Sequence, residues 1–178
     1  MDINKKGAFV LWLTGLPCSG KTTIGQALYK EIKRRGLSVR HLDGDIVRKE
    51  MNKNLGFSKK DRDKNLEIVG SLAKELNEQG IIVIASFVSP YKEQREKIRK
   101  KIKNFVEIYV NAPISVCEKR DVKGLYKKAR SGEIKNLTGI SDPYEAPEHP
   151  QLELETDKGS VRGNTDQVIA YLIRKDYL

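Results

Sequence analysis

Long hydrophobic runs are missing from this 178-residue chain. The longest, about Ala8 to Leu13, suits one buried strand and falls far short of the roughly 20 residues that cross a bilayer. The opening Met1-Asp2-Ile3-Asn4-Lys5-Lys6 leads into no signal-peptide apolar region, so a cytoplasmic location and no membrane partner are expected. Cysteine is scarce: Cys18 and Cys117 stand far apart and match no C-x-x-C spacing, which argues against a structural zinc site. Two thiols in a cytosolic protein are expected to be reduced. No aromatic-basic stripe of a single-strand binder accompanies the net charge of +10. The basic residues mix with glutamates, as in Glu93-Gln94-Arg95-Glu96-Lys97, a pattern that reads as a solvated helix face. Nucleic acid is therefore not an expected partner, and small polyanionic ligands match the charge as well. Internal repeats and a second domain are also missing, so residues 1–178 read as one domain.

What is present alternates. Ala8 to Thr14 reads as a buried strand, followed by a helix from about Gly20 to Arg35 that Gly36 ends. Leu37 to Leu42 reads as the second strand, and the acidic turn Asp43-Gly44-Asp45 precedes a helix over Ile46 to Lys53. Ser58 and Asp61 form a capping box for a helix through Gln79, which Gly80 stops. Ile81 to Ser86 and Phe105 to Val110 are the third and fourth strands, separated by a helix that Ser89 and Pro90 open. Pro113 opens a short helix to about Arg120, Gln151 to Glu155 is a fifth strand, and Asn164 with Gln167 caps a closing helix to Tyr177. The order predicts an α/β fold with a five-stranded parallel sheet and helices on both faces. Residues 121–150 break the pattern with glycines, prolines and charges, and so long a loop in a compact domain is usually functional.

The strongest chemical signal is Gly15-Leu16-Pro17-Cys18-Ser19-Gly20-Lys21-Thr22, which matches G-x-x-x-x-G-K-[ST] between a strand and a helix. In that setting the backbone N–H groups and the helix dipole face a phosphate chain. Lys21 reaches the β- and γ-phosphates of ATP, and the Thr22 hydroxyl holds Mg2+, with Thr23 next in the binding run. Cys18 inside this loop is a small residue by the plain reading, although an oxidised thiol there would block the loop. Asp43 and Asp45 stand at the carboxyl end of the second strand, where ligands of open α/β sheets sit. One can order magnesium through water and the other can take a proton from an acceptor hydroxyl, whereas the plain reading is an Asp turn capping the next helix. Arg48 and Arg62 suit a doubly charged substrate, Asn65 falls one turn on, and Phe57 offers a face for a base unless it is core.

Several runs carry a resemblance. Leu42 to Arg48, Leu55-Gly56-Phe57-Ser58 with Asp61, Arg62 and Asn65, Ser89-Pro90-Tyr91, the run Asp121 to Arg130 with its Lys123-Gly124-Leu125-Tyr126-Lys127-Lys128-Ala129-Arg130, and the run Leu137 to Pro147 with its Asp142-Pro143-Tyr144-Glu145-Ala146-Pro147 resemble the adenylyl-sulfate kinase family, in order along the chain. The resemblance implies a three-layer P-loop kinase fold with a lid loop. It implies transfer of the γ-phosphoryl group of ATP to the 3′-hydroxyl of adenosine 5′-phosphosulfate (APS), with Mg2+. By motif position, Asp45 is the candidate base or magnesium-water ligand, with Asp43 beside it. Arg48, Arg62 and Asn65 would hold the phosphosulfate, Phe57 would stack on the acceptor adenine, and 121–150 would close as the lid. Lys123, Lys127 and Lys128 would bring positive charge to the phosphates. Ser89 stands where the family's descriptions place a phosphoserine, although in-line transfer needs no covalent step and Ser89 serves equally as a helix N-cap. Leu137 stands where the family carries an aromatic residue, and Ile46 and Val122 depart from a usual asparagine and proline. Arg120, Thr156 and Asp157 are the expected surroundings of the ATP adenine. A homodimer and a functional link to an ATP sulfurylase are expected from the same resemblance.

Two rival readings share the P-loop. Another small-molecule kinase, acting on a nucleoside monophosphate, a sugar acid or shikimate, would not be expected to combine the D-G-D-x-x-R and lid motifs. A nucleotide-dependent switch or nucleic-acid ATPase would use the charge, but no nucleic-acid module is recognisable.

Overall fold

This computed structural model describes residues 7–50, 56 and 58–178, with the backbone alone at 48–50. Five strands form one sheet in the order β2-β3-β1-β4-β5, every neighbouring pair parallel. The strands are β1 (Val10–Thr14), β2 (Val39–Asp43), β3 (Ile82–Ser86), β4 (Phe105–Asn111) and β5 (Leu152–Glu155). The helices are α1 (Lys21–Arg34), α2 (Gly44–Glu50), α3 (Lys59–Glu78), α4 (Lys92–Arg99), α5 (Ile114–Lys119), α6 (Leu125–Arg130) and α7 (Val161–Arg174).

Strand β1 sits centrally and is buried at every position, so it reads as a continuous apolar run rather than an alternating one. Its side chains nevertheless divide by the two-residue period of a strand. Phe9, Leu11 and Leu13 pack with Ile24, Leu28 and Ile32 of α1 and with Val168, Ile169 and Leu172 of α7. Val10 and Trp12 face the other way, onto Leu66, Val69 and Ala73 of α3 and Ile98 of α4. The result is three layers, α1 and α7 below the sheet and α3 and α4 above it, as expected. At roughly 25 cal/mol per Å², burying such side chains on both faces stabilises the layers by about 1.5–3 kcal/mol each.

Three local expectations are corrected. Helix α4 begins at Lys92 with Tyr91 at its N-cap, so Ser89 does not cap it. Helix α7 begins at Val161, because the Ser160 hydroxyl accepts from Gly163 N; Asn164 is turned inward, its amide donating to Ser160 O at 3.0 Å. The run Glu93 to Lys97 is not all solvated: Gln94 and Arg95 are buried. The Ser58 cap does form, accepting from Asp61 N at 3.1 Å. The expected helix end over 51–53 lies outside the described residues. The 121–150 segment also holds α6, a six-residue helix that its sparse apolar content did not announce.

No helix among the described residues is long and apolar enough to cross a membrane. The carboxyl ends of β1, β2 and β3 bring Thr14, Asp43 and Ser86 to one edge of the sheet, Asp43 and Ser86 in register. That edge is where the chemistry gathers.

Candidate active site

The loop between β1 and α1 wraps tightly for a physical reason. A side chain at Gly15 would place its Cβ 2.3 Å from Val110 O and 2.8 Å from Ser19 Oγ, so the backbone can pass only without one. Cys18 adopts a left-handed φ of 63° and Gly20, at the N-cap of α1, a φ of 108°. The turn leaves the first N–H groups of a 14-residue helix aimed at the loop's mouth. The Lys21 ammonium folds back and donates to Gly15 O at 2.9 Å and Leu16 O at 2.7 Å. Burial pushes its pKa down to about 8, with the neighbouring thiols and Asp43 and Asp45 opposing that shift.

Thr22 and Asp43 meet: the Thr22 hydroxyl donates to Asp43 Oδ2 at 2.6 Å, and Asp45 N donates to Asp43 Oδ1 at 3.0 Å. Asp43 is buried and so keeps both oxygens satisfied, whereas Asp45 is 68% exposed. Asp45 is ion-paired with Lys123 of the 121–150 segment, whose ammonium that pairing holds above its ordinary pKa. The donors here are hard oxygens, a hydroxyl and carboxylates at the P-loop's edge. They fit magnesium, which takes one or two protein oxygens and fills its shell with phosphate and water. Among the described residues no group of three or more His, Cys, Asp or Glu side chains is placed to hold a metal ion.

Arg120, from the end of α5, donates to Thr156 Oγ1 at 3.0 Å and Thr156 O at 2.8 Å, and Thr156 Oγ1 donates to Ser19 O at 2.7 Å. Arg120 and Thr156 are thus brought together against the backbone of the phosphate loop at Ser19. The 121–150 segment meets the loop from its other side. Tyr126 OH donates to Pro17 O at 2.8 Å, and Tyr126 N donates to Asp121 Oδ2 at 2.7 Å. Burial raises the Tyr126 phenol well above its ordinary range, so it stays a donor. Cys18 Sγ lies 3.9 Å from Asp121 Oδ1, and burial, then that carboxylate, raise its pKa, so the thiol is protonated rather than reactive. Leu137, like Leu16, Ile114 and Ile140, packs against the buried cluster of Ala112, Cys117 and Tyr126. An open groove of about 580 Å³ lies beside them, lined by Leu16, Ile114, Gly139, Asp142 and Tyr144 among others.

Arg62 reaches from α3 to the 121–150 segment, bonding Thr138 Oγ1 and Asn136 O and lying 3.4 Å from Asp142 Oδ2. Asn65 is buried on the same helix. Phe57 and the Arg48 side chain lie outside the described residues. Ser89 is buried at a left-handed φ of 40°. Its hydroxyl accepts from Trp12 Nε1 at 3.1 Å and donates to Phe87 O at 3.3 Å, which commits it to the sheet's interior.

Reading the sequence missed two groups at this edge. Thr14 donates its one hydroxyl proton to Val88 O at 2.8 Å, so Tyr144 OH, 3.0 Å away, must donate to Thr14. Arg95 was hidden in a charged helix run; the signal for it was Glu107, a carboxylate inside the otherwise apolar β4, which demands a buried cation.

The family model for adenylylsulphate kinase matches residues 7–155. The adenylyl-sulfate kinase of Halothermothrix orenii is 51% identical over 98% of this chain and 94% of its own length. That of Microcystis aeruginosa is 50% identical over 98% and 96%. Among solved structures, the Mycobacterium tuberculosis APS kinase in complex with AMPPNP and APS superposes with a TM-score of 0.90 at 37% identity, covering 94% of this chain and 98% of that one. A hexameric APS kinase from Thiobacillus denitrificans gives a TM-score of 0.75 at 28% identity, covering 98% of this chain and 30% of that longer one.

Proposed function

The chain belongs to the adenylylsulphate kinase family, and from that premise we propose how its residues share the reaction. The enzyme phosphorylates APS with ATP to give 3′-phosphoadenosine 5′-phosphosulfate and ADP. Phosphoryl transfer of this kind rests on positioning and charge neutralisation more than on covalent chemistry.

In this reading the residues from Gly15 to Thr23 cradle the ATP phosphates. Lys21 exchanges the carbonyls of Gly15 and Leu16 for phosphate oxygens, which replaces weak dipoles by full negative charges. Arg120 and Thr156 flank the adenine of ATP. Thr22 would hold Mg2+, with Asp43 or Asp45 ordering it through water, and the ion would supply charge neutralisation for the phosphates. Asp45, once Lys123 turns to the phosphates, takes the proton of the acceptor's 3′-hydroxyl. Arg48, Arg62 and Asn65 hold the phosphosulfate, and Phe57 and Leu137 cover the acceptor adenine. Ser89 acts through position rather than as a phosphate carrier, since its hydroxyl is engaged on both sides. The lid keeps water from the transferring group. Self-association as a homodimer draws support from the likeness to a hexameric relative. A cytoplasmic setting and a functional link to an ATP sulfurylase are further proposals, and no nucleic acid takes part.

The observation that carries this division of roles is the Thr22–Asp43 contact at 2.6 Å, which joins the phosphate loop to the acidic turn. Replacing Thr22 by valine keeps the branched shape and removes the hydroxyl. The expected result is a folded protein needing much more magnesium for half-maximal turnover. An unchanged magnesium titration would contradict the assignment.

A further inference from the structure

Arg95 lies on α4, outside the residues assigned above to either nucleotide, and is only 2% exposed. A guanidinium that deep must be matched at its N–H groups. Its Nε donates to Glu107 Oε1 at 2.9 Å, and its two terminal nitrogens donate to Ser89 O at 2.7 Å and Glu145 O at 2.6 Å. These acceptors belong to three separate pieces: strand β4, the turn after β3, and the C-terminal root of the lid. The Tyr144 ring lies 5.9 Å from the same guanidinium. Glu145 ties the pieces further, its N–H donating to Pro90 O at 2.8 Å and its carboxylate accepting from Lys92 N at 2.8 Å. Stability alone is a weak reason for such a group, because a buried ion pair rarely outdoes well-packed apolar residues of similar volume. A planar fork that fixes three acceptors in set directions is a better one.

The assembly around Arg95 ends at the proposed acceptor site. From the Ser89-Pro90-Tyr91 turn, Tyr91 OH donates to Asp142 Oδ2 at 2.9 Å, and that oxygen is the one 3.4 Å from Arg62. We propose that Arg95 is a positioning residue for acceptor binding: it clamps the lid root and the Ser89 turn to β4, so that Tyr91 and Asp142 aim Arg62 at the sulfated nucleotide. The inference rests on the reading of Arg62 as an acceptor-binding arginine. ATP is gripped at the other end of the lid, where Tyr126 and Arg120 meet the loop, so the clamp discriminates between the two nucleotides.

The test uses the full chain with Arg95→Lys, Tyr91→Phe, their combination and Arg62→Lys. Lysine keeps a charge for Glu107 but cannot span all three acceptors. For each variant, kcat, the KM for ATP, the KM for APS and the melting temperature are measured. Arg95→Lys and Tyr91→Phe should each raise the APS KM about three- to tenfold with the ATP KM within about twofold, the range expected when a coupling network is cut. The double variant should be no worse than the stronger single one, since both cut one chain of contacts. A lower melting temperature with both KM values unchanged would overturn the inference, and so would an equal rise in both. Should Arg95→Lys fail to fold, Tyr91→Phe decides by the same readings. An APS KM untouched by Arg62→Lys would overturn the reading of Arg62, and the inference with it. A raised APS KM in Arg62→Lys alone would overturn the inference and spare that reading.

Discussion

The hydroxyl of Thr22 and the buried carboxylate of Asp43 stand 2.6 Å apart, so the first helical turn after the phosphate loop is joined directly to the end of β2. Asp45, two residues on, is exposed and paired only with Lys123 among the ion pairs described. The two aspartates thus have different work. Asp45→Asn should leave ATP binding nearly intact and lower turnover about a hundredfold or more, the scale of a lost general base. Equilibrium ATP titration beside single-turnover rates separates these effects, and near-normal turnover would rule out Asp45 as the base.

With Lys21 in the proposed role of binding the ATP phosphates, its buried ammonium should make ATP affinity depend on pH. Its pKa is about 8 in the folded chain without nucleotide, below the roughly 10.4 of an unfolded one. Between those values the unfolded chain binds more protons. The burial penalty is therefore full below about 8, and the stability of the ligand-free protein from this group rises as pH climbs through the window. Phosphates favour the charged form, so ATP binding runs the opposite way. Affinity should fall about tenfold or more from pH 7 to pH 9.5, by one-proton linkage. In Lys21→Arg, whose charge does not titrate there, the pH profile of ATP binding should be flat.

Gly25 faces a crowded junction under the loop. A Cβ there would lie 2.5 Å from His41 Nε2 and 2.6 Å from Ser86 Oγ, two atoms that bond each other at 2.9 Å. Ser86 Oγ also donates to Lys21 O at 3.3 Å, so the disturbance reaches the P-loop lysine's backbone. Gly25→Ala should cost about 1–3 kcal/mol despite the better helix propensity of alanine. Thermal unfolding with and without ATP measures it. An unchanged melting temperature would show that His41 and Ser86 move aside freely.

Ser89→Ala should retain most turnover. Its loss leaves the Trp12 indole N–H without its partner at 3.1 Å, which costs about 1–3 kcal/mol of stability. Incubation with γ-labelled ATP should leave no label on the protein. Stable labelling of the wild type that Ser89→Ala abolishes would establish a covalent carrier and contradict this account.

The sheet and the phosphate loop were legible because each rests on local pattern. Val10 to Leu13 is an unbroken apolar run, and the G-x-x-x-x-G-K-[ST] run has only one common structural use. The Ser58 cap was legible for the same reason. Asn164 misled because Ser160 and Asn164 both fit a cap, and only packing decides which one is turned inward. Helix α6 was not legible: it has six residues, of which only Tyr126 and Ala129 are buried, and Tyr126 packs in a small cluster with Ala112 and Cys117 apart from the two main cores. The Arg95 clamp was invisible because its partners Glu107, Ser89 and Glu145 are brought together only by the strand order. The pairing of Asp43 with Thr22, rather than Asp45 with Thr22, likewise depends on where β2 ends relative to α1.

The most direct test of the central claim is ADP release with ATP and magnesium, comparing APS with AMP as acceptor. The account predicts release that depends on APS, with the product phosphorylated at the 3′-hydroxyl and little release with AMP. Release with AMP and none with APS, from protein that binds ATP, would contradict it.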